Sequence, residues 1–172
     1  MDRGEFANKI MKYKDNMYRF AMSYMHSEAE SKDVVQDVLM KLWETRYSLG
    51  EKNNMEAWCM TLTRNKCLDA LKRAGKRLTS SIDNEYHNPS SENASPLKVF
   101  SDKESMNHIK SALQNLPEKQ IAAFTLRDMQ GYSYLEIGDM LGLSISQVKV
   151  NIHRARKALK KELSTVYAYG KG

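Results

Sequence analysis

The sequence predicts an all-α protein: two small helical domains joined by a flexible polar linker, the C-terminal one a helix-turn-helix. Three observations carry that reading. Apolar residues recur at steps of three and four through most of the chain, no useful stretch alternates as a strand would, and the periodicity lapses between residues 78 and 100. With 172 residues, 41% hydrophobic and 28% charged, the chain can fill two modest cores and still present a charged surface.

Within residues 1–77, Phe6, Ile10, Tyr13, Met17, Phe20 and Tyr24 mark the stripe of one amphipathic helix. Ser27 with Glu30 has the spacing of a capping box and opens a second helix, striped by Val34, Val35, Val38, Leu39, Leu42 and Trp43. Asp33, Gln36, Asp37, Lys41 and Glu44 take its opposite face. TRYSLGEKNN lacks a period and reads as a loop. Asn53 and Glu56 resemble a further capping pair ahead of a third helix, whose Leu62 and Leu68 are expected in the core with Leu71. Trp58 suits core packing and direct ligand contact alike. Gly75 is the expected stop, and Lys72, Arg73, Lys76 and Arg77 suit the negative end of the helix dipole.

Residues 78–100, LTSSIDNEYHNPSSENASPLKVF, are rich in Ser and Asn, and Pro89 and Pro96 discourage helix. This is the expected linker, and it separates two net-basic blocks, 1–77 and 101–172.

In the second block Met106, Ile109, Leu113 and Leu116 form a stripe that Pro117 ends or restarts. Residues 118–128 read as a short helix with Ile121 and Phe124 inward. Ser133 and Glu136 then cap a helix containing Leu135, Ile137, Met140 and Leu141; Gly142 supplies a left-handed stop, and Ser144 with Gln147 caps the last helix at once. Val148, Ile152, Ala155, Leu159 and Leu163 are its buried side. A short capped helix, a Gly-containing turn and a longer capped helix describe a helix-turn-helix.

Several chemistries are disfavoured. Cys59 and Cys67 fall in one helix, where eight residues span roughly 12 Å, too far for a disulfide, so both are read as reduced packing residues of a cytoplasmic protein. Four scattered histidines and the absence of CxxC or HExxH spacing supply no metal site, and no cofactor motif appears. No nucleophile–base pair, acidic cluster or Gly-rich phosphate loop marks an enzyme. No apolar run is long enough to cross a bilayer, and the N-terminus lacks a signal-like apolar core.

The charge of the last helix points to nucleic acid. Residues 145–161 hold Lys149, Arg154, Arg156, Lys157, Lys160 and Lys161 and no acid, against a net +6 for the whole chain. Ser146, Gln147, Lys149 and Val150, nearest its start, are placed to touch base edges; Asn151, His153, Arg154 and Lys157 extend the readout or grip the backbone. Arg154 and Arg156 cannot both face the same way, which leaves one of them for the fold or a phosphate. A stand-alone repressor or activator would use the same motif, with the first block as its dimeriser.

These residues resemble a known family. SYLEIGDMLGLSISQVKVNIHRARKAL is similar to the C-terminal helix-turn-helix of bacterial sigma-70 factors of the small extracytoplasmic-function (ECF) group. SKDVVQDVLMKLWETR resembles that group's polymerase-docking segment, and EAWCMTLTRNKCLDALKR its promoter-melting helix. The resemblance implies a non-enzymatic subunit that binds core RNA polymerase and directs promoter-specific initiation. It implies that Asp33, Gln36, Asp37 and Glu44 meet the clamp helices of the largest polymerase subunit. It further implies that Trp58, Arg64, Asn65, Lys66, Asp69 and Arg73 hold the melted −10 strand, with loop residues Arg46 to Asn54 shaping a pocket for an extruded base. The last helix would read the −35 element as duplex. Ser146–Gln147 replaces the Gly-Thr often found there, which alters the expected base preference. The group's usual inhibitor, an anti-sigma protein covering both domains, is the remaining expected partner.

Overall fold

A computed structural model describes residues 1–75 and 103–169; the expected linker, with Lys76 and Arg77, lies outside them, as does the side chain of Met106. The described residues form eight α-helices and no strand. The chain divides into two compact units, Met1–Arg77 and Leu78–Gly172.

The first unit begins with α1 (Arg3–Ile10), opened by a reciprocal capping box between Asp2 and Glu5. The single helix expected from the Phe6–Tyr24 stripe is instead two. A 3-10 turn at Met11–Tyr13 separates α1 from α2 (Lys14–Met25). The stripe survives the break, with Phe6, Ile10, Met17, Phe20 and Tyr24 buried, but Tyr13 is only half-buried beneath the Lys12 ammonium, 4.9 Å from its ring centre. His26 closes α2 in the left-handed conformation at φ 53°.

Helix α3 (Glu28–Glu44) starts with the Ser27 hydroxyl accepting from the Glu30 amide, half of the expected box. Its buried side is Ser31, Val34, Val35, Val38 and Leu42, while Leu39 and Trp43 lie at the boundary. Helix α4 (Met55–Arg73) starts at the expected Met55 but with a different cap. Asn54, not Asn53, is the cap, its side chain accepting from the Ala57 amide at 3.0 Å, and Glu56 accepts from Asn16 on α2. Ala57, Cys59, Met60, Thr63, Cys67 and Leu71 are buried, whereas Leu62 and Leu68 sit half-exposed. The side of α4 that meets α2 and α3 thus carries small residues, which lets the three helices approach closely. Thr63 satisfies its buried hydroxyl on the Cys59 carbonyl at 2.8 Å. Gly75 ends the unit at φ +68°, in the left-handed role expected of it.

In the second unit α5 (Lys103–Leu113), α6 (Glu118–Phe124) and α7 (Tyr134–Leu141) all pack on the long α8 (Ile145–Tyr169). Ile109, Leu113, Leu116, Ile121 and Phe124 enter the core they share. Pro117 occupies the cap position of α6. The helix expected to run to 128 stops at Phe124 and continues as a wider π turn, Thr125–Met129, which the Gln130 amide closes on the Thr125 carbonyl. That turn keeps Leu126 fully buried. Leu135, expected with the apolar residues of α7, is 63% exposed, and the buried set is Ile137, Gly138, Met140 and Leu141. No helix among the described residues is long and apolar enough to cross a membrane.

Both thiols are buried, and desolvation pushes each pKa up from 9.0 to about 12. A thiol reagent at pH 8 is therefore expected to modify neither cysteine in the folded chain and both after denaturation. Prompt reaction of the native protein would contradict this packing. Because the folded-state pKa is the higher one, this contribution is whole below pH 9 and is lost as the pH rises towards 12.

Candidate nucleic-acid and protein-docking surfaces

The geometry of α8 begins at its capped end. Ser144 and Gln147 cap reciprocally: the Gln147 amide donates to the Ser144 hydroxyl at 3.2 Å, and the Ser144 amide to Gln147 Oε1 at 2.9 Å. Gly142, at φ +66°, makes the turn from α7, whose own box pairs Ser133 with Glu136. Two caps and one left-handed glycine thereby fix both helix starts.

The roll of α8 about its axis is fixed by burial. Val148, Ile152, Ala155, Leu159 and Leu163 are all buried, as their spacing required. At about 100° per residue, Ser146, Val150, His153, Arg154 and Lys157 fall within an arc of about 100° on the opposite side, and each is exposed or half-exposed. The other three candidates lie outside that arc. Gln147 spends its amide oxygen on the cap. Asn151 donates to the Gln147 carbonyl at 2.8 Å, and the Lys149 ammonium turns back towards α7, 5.6 Å from the Tyr134 ring centre. Arg127 approaches the same ring at 4.6 Å.

The ambiguity between Arg154 and Arg156 resolves in the fold. Arg156 Nε and Nη2 fork onto Asp128 at 2.7 and 2.5 Å, and the Asp128 side chain is 4% exposed. The hydrogen bond to Asp128 raises the guanidinium pKa further above its ordinary value, against the opposing effect of burial. One of the six cations is therefore structural, and Arg154 stands on the outward arc. Periodicity could not reveal the partner, because Asp128 sits in the π turn.

On the first unit, Asp33, Gln36, Asp37 and Glu44 are all exposed and lie on one side of α3. On α4, Trp58, Asn65, Lys66, Asp69 and Arg73 share an arc of about 100°; Arg64 lies roughly 100° off that arc, at the edge of the buried side. The two helices touch between these surfaces, where Lys66 Nζ is 3.8 Å from Asp37 Oδ2. Trp58 is half-buried. Its ring lies under the Lys52 ammonium at 4.4 Å, and its buried Nε1 meets no acceptor among the described residues. In the preceding loop Arg46 is layered between Trp43, at 4.1 Å, and Tyr47, at 4.3 Å, and Trp43 in turn packs edge-on against Phe6. Tyr47 is left 76% exposed. Among the described residues no cluster of His, Cys, Asp or Glu could hold a metal ion.

Known proteins share this sequence and fold. Residues 10–77 match the family model for sigma-70 region 2, and residues 107–159 match that for sigma-70 region 4. SigZ of Bacillus subtilis, an RNA polymerase sigma factor, is 31% identical over 132 residues, covering 76% of this chain and 71% of its own. The ECF RNA polymerase sigma factor SigE of Mycolicibacterium smegmatis is 26% identical over 155 residues; the match spans 90% of this chain but 60% of that relative's length. The fold is similar to that of the sigma factor RpoE of Bartonella quintana, solved in complex with the anti-sigma factor NepR. The TM-score is 0.68 at 24% identity, over 93% of this chain and 97% of the other.

Removing one partner of the Arg156–Asp128 fork is expected to cost about 2 kcal/mol, less than a fully buried pair because Arg156 is 22% exposed. Arg156→Ala, which strands the buried carboxylate, should cost more than Asp128→Ala, which frees a guanidinium that can reach water. Urea denaturation of the two variants gives the order; equal, negligible losses would contradict the assignment.

Proposed function

The chain belongs to the sigma-70 family of RNA polymerase sigma factors, in its ECF group, and from that membership we propose that it binds core polymerase and directs it to a two-part promoter. It is a transcription initiation factor that performs no catalysis of its own, works in the cytoplasm and is held in check by an anti-sigma protein. The inhibitor follows the RpoE precedent, in which a sigma factor of similar fold is bound by NepR. The observation that carries the reading is the division of charge among three helices. One face of α3 is acidic, while α4 and α8 present cations on their solvent sides.

In this reading α8 enters the major groove of the −35 element. Ser146, Val150, His153 and Arg154 face base edges, and Lys157 neutralises a phosphate. Gln147, Lys149 and Asn151 support the helix start and its flanks, Gln147 through its remaining amide donors. Duplex DNA at the −10 element is opened on α4, where Trp58, Asn65, Lys66 and Arg73 receive the displaced strand and Arg64 grips backbone from the side. Asp69 supplies an acceptor for exocyclic amines. Unstacking costs a few kcal/mol per base, and cationic and aromatic contacts recover part of it. The exposed Tyr47, backed by Arg46, extends this platform. Asp33, Gln36, Asp37 and Glu44 meet the clamp helices of the largest polymerase subunit, which must present basic donors to such a face.

In vitro transcription with core polymerase tests the proposal. New, discrete start sites are expected only when the chain is added; binding of duplex DNA by the chain alone, as a dimer on a palindrome, would instead indicate a repressor. Changing Asp33, Gln36 and Asp37 together to Ala should weaken polymerase capture at unchanged helicity, and undiminished capture would remove their role. Lys157→Ala should weaken promoter binding evenly across sequences and lower the salt slope by about one. A sequence-selective loss would make Lys157 a base reader.

A further inference from the structure

Met40 lies in the middle of the acidic face of α3. It is 58% exposed, the most exposed methionine among the described residues. The buried side of the helix is centred on Val34, Val38 and Leu42, and by register Met40 points directly away from it. Of its four neighbours one turn away, Gln36, Asp37 and Glu44 are exposed and polar, and Trp43 is half-buried. A large exposed apolar side chain flanked by polar ones on one side and by a half-buried aromatic on the other suits a protein interface, whose centre loses water while its rim stays wet.

This side chain is not part of the buried core of its unit, and a polar straight-chain helix former such as Gln, Glu or Lys would serve the helix as well. Charge identifies the partner's chemistry. The face carries Asp33, Asp37 and Glu44 against Lys41, in a chain of net +6, so it repels nucleic acid and suits a basic protein surface. Three unbranched torsions and a polarisable sulfur let methionine fit an apolar socket between such basic groups.

We propose that Met40 is the apolar anchor of polymerase docking, inserted into a socket on the core enzyme and rimmed by the contacts of Gln36, Asp37 and Glu44. The inference rests on the proposed docking role of α3 and adds its energetic centre. Acidic residues then set orientation and encounter rate, while Met40 sets how long the complex lasts.

Titrating core polymerase with the full-length chain and its variants decides it. Met40→Ala should bind about tenfold more weakly, mainly through faster dissociation, and Met40→Leu should restore affinity to within about twofold of the parent. Met11→Ala, at another exposed methionine (41%) on the 3-10 turn, should bind as the parent does. Met40→Glu separates the two physical pictures. An anchor predicts a loss beyond that of Met40→Ala, whereas a purely electrostatic face predicts tighter binding. Unchanged affinity for Met40→Ala, or a gain for Met40→Glu, would overturn the anchor while leaving the docking face in place if the Asp33, Gln36 and Asp37 substitutions still weaken capture. Failure of the parent chain to bind core polymerase would overturn both.

Discussion

An amphipathic helix that buries one side has no freedom over what the other side shows. This coupling governs both units. On α8 the five apolar residues from Val148 to Leu163 are buried, and the Arg156–Asp128 fork pins the same helix from its flank. The roll angle is then over-determined, and Ser146, Val150, His153, Arg154 and Lys157 are held on the outward side. A reading surface assembled this way is rigid before any ligand arrives, which spares the entropy of ordering it on binding.

The first unit applies the same coupling to two partners. Helices α3 and α4 bury apolar and small residues against α2, and their outer faces differ in chemistry: acidic and amide-bearing on α3, cationic and aromatic on α4. Contrasting faces on adjacent helices suit the two partners proposed for them, a polymerase and a melted strand. An ionic contact between them, Lys66 with Asp37 at 3.8 Å, is exposed and joins the two surfaces, a geometry that contributes little to stability. Division of charge over the surface therefore bears on which partners can approach more than on how stable the unit is.

Much of this organisation was legible from residue spacing, because helix period, caps and glycine stops are local. The Ser133–Glu136 and Ser144–Gln147 boxes and the left-handed Gly142 lie where the pattern put them. The misreadings arose where tertiary packing decides. The α4 stripe was assigned by hydrophobicity to Leu62 and Leu68, but close helix approach favours small residues, so Cys59, Thr63 and Cys67 are inside. Of two adjacent asparagines, Asn54 rather than Asn53 caps α4, a choice that helix period does not make. The 3-10 turn after Ile10 and the π turn after Phe124 preserve the apolar spacing and so leave no mark on it. Spacing also gives no sign that the Lys149 ammonium lies 5.6 Å from the Tyr134 ring centre, a tertiary placement. The exposure of Met40 leaves no mark on the sequence pattern, because one apolar letter on a polar face carries no period.

The central claim is that the outward arc of α8 reaches DNA only as part of a polymerase complex. Burial of Cys59 and Cys67 makes a direct measurement practical, since a new surface thiol can be labelled selectively. An iron chelate on Ser146→Cys, at the exposed start of α8, should cut promoter DNA within one major groove upstream of the start site, and only with core polymerase present. The same chelate on Ser111→Cys, exposed on α5, should give no such cluster. Diffuse cutting, indistinguishable between the two positions or independent of polymerase, would contradict the account.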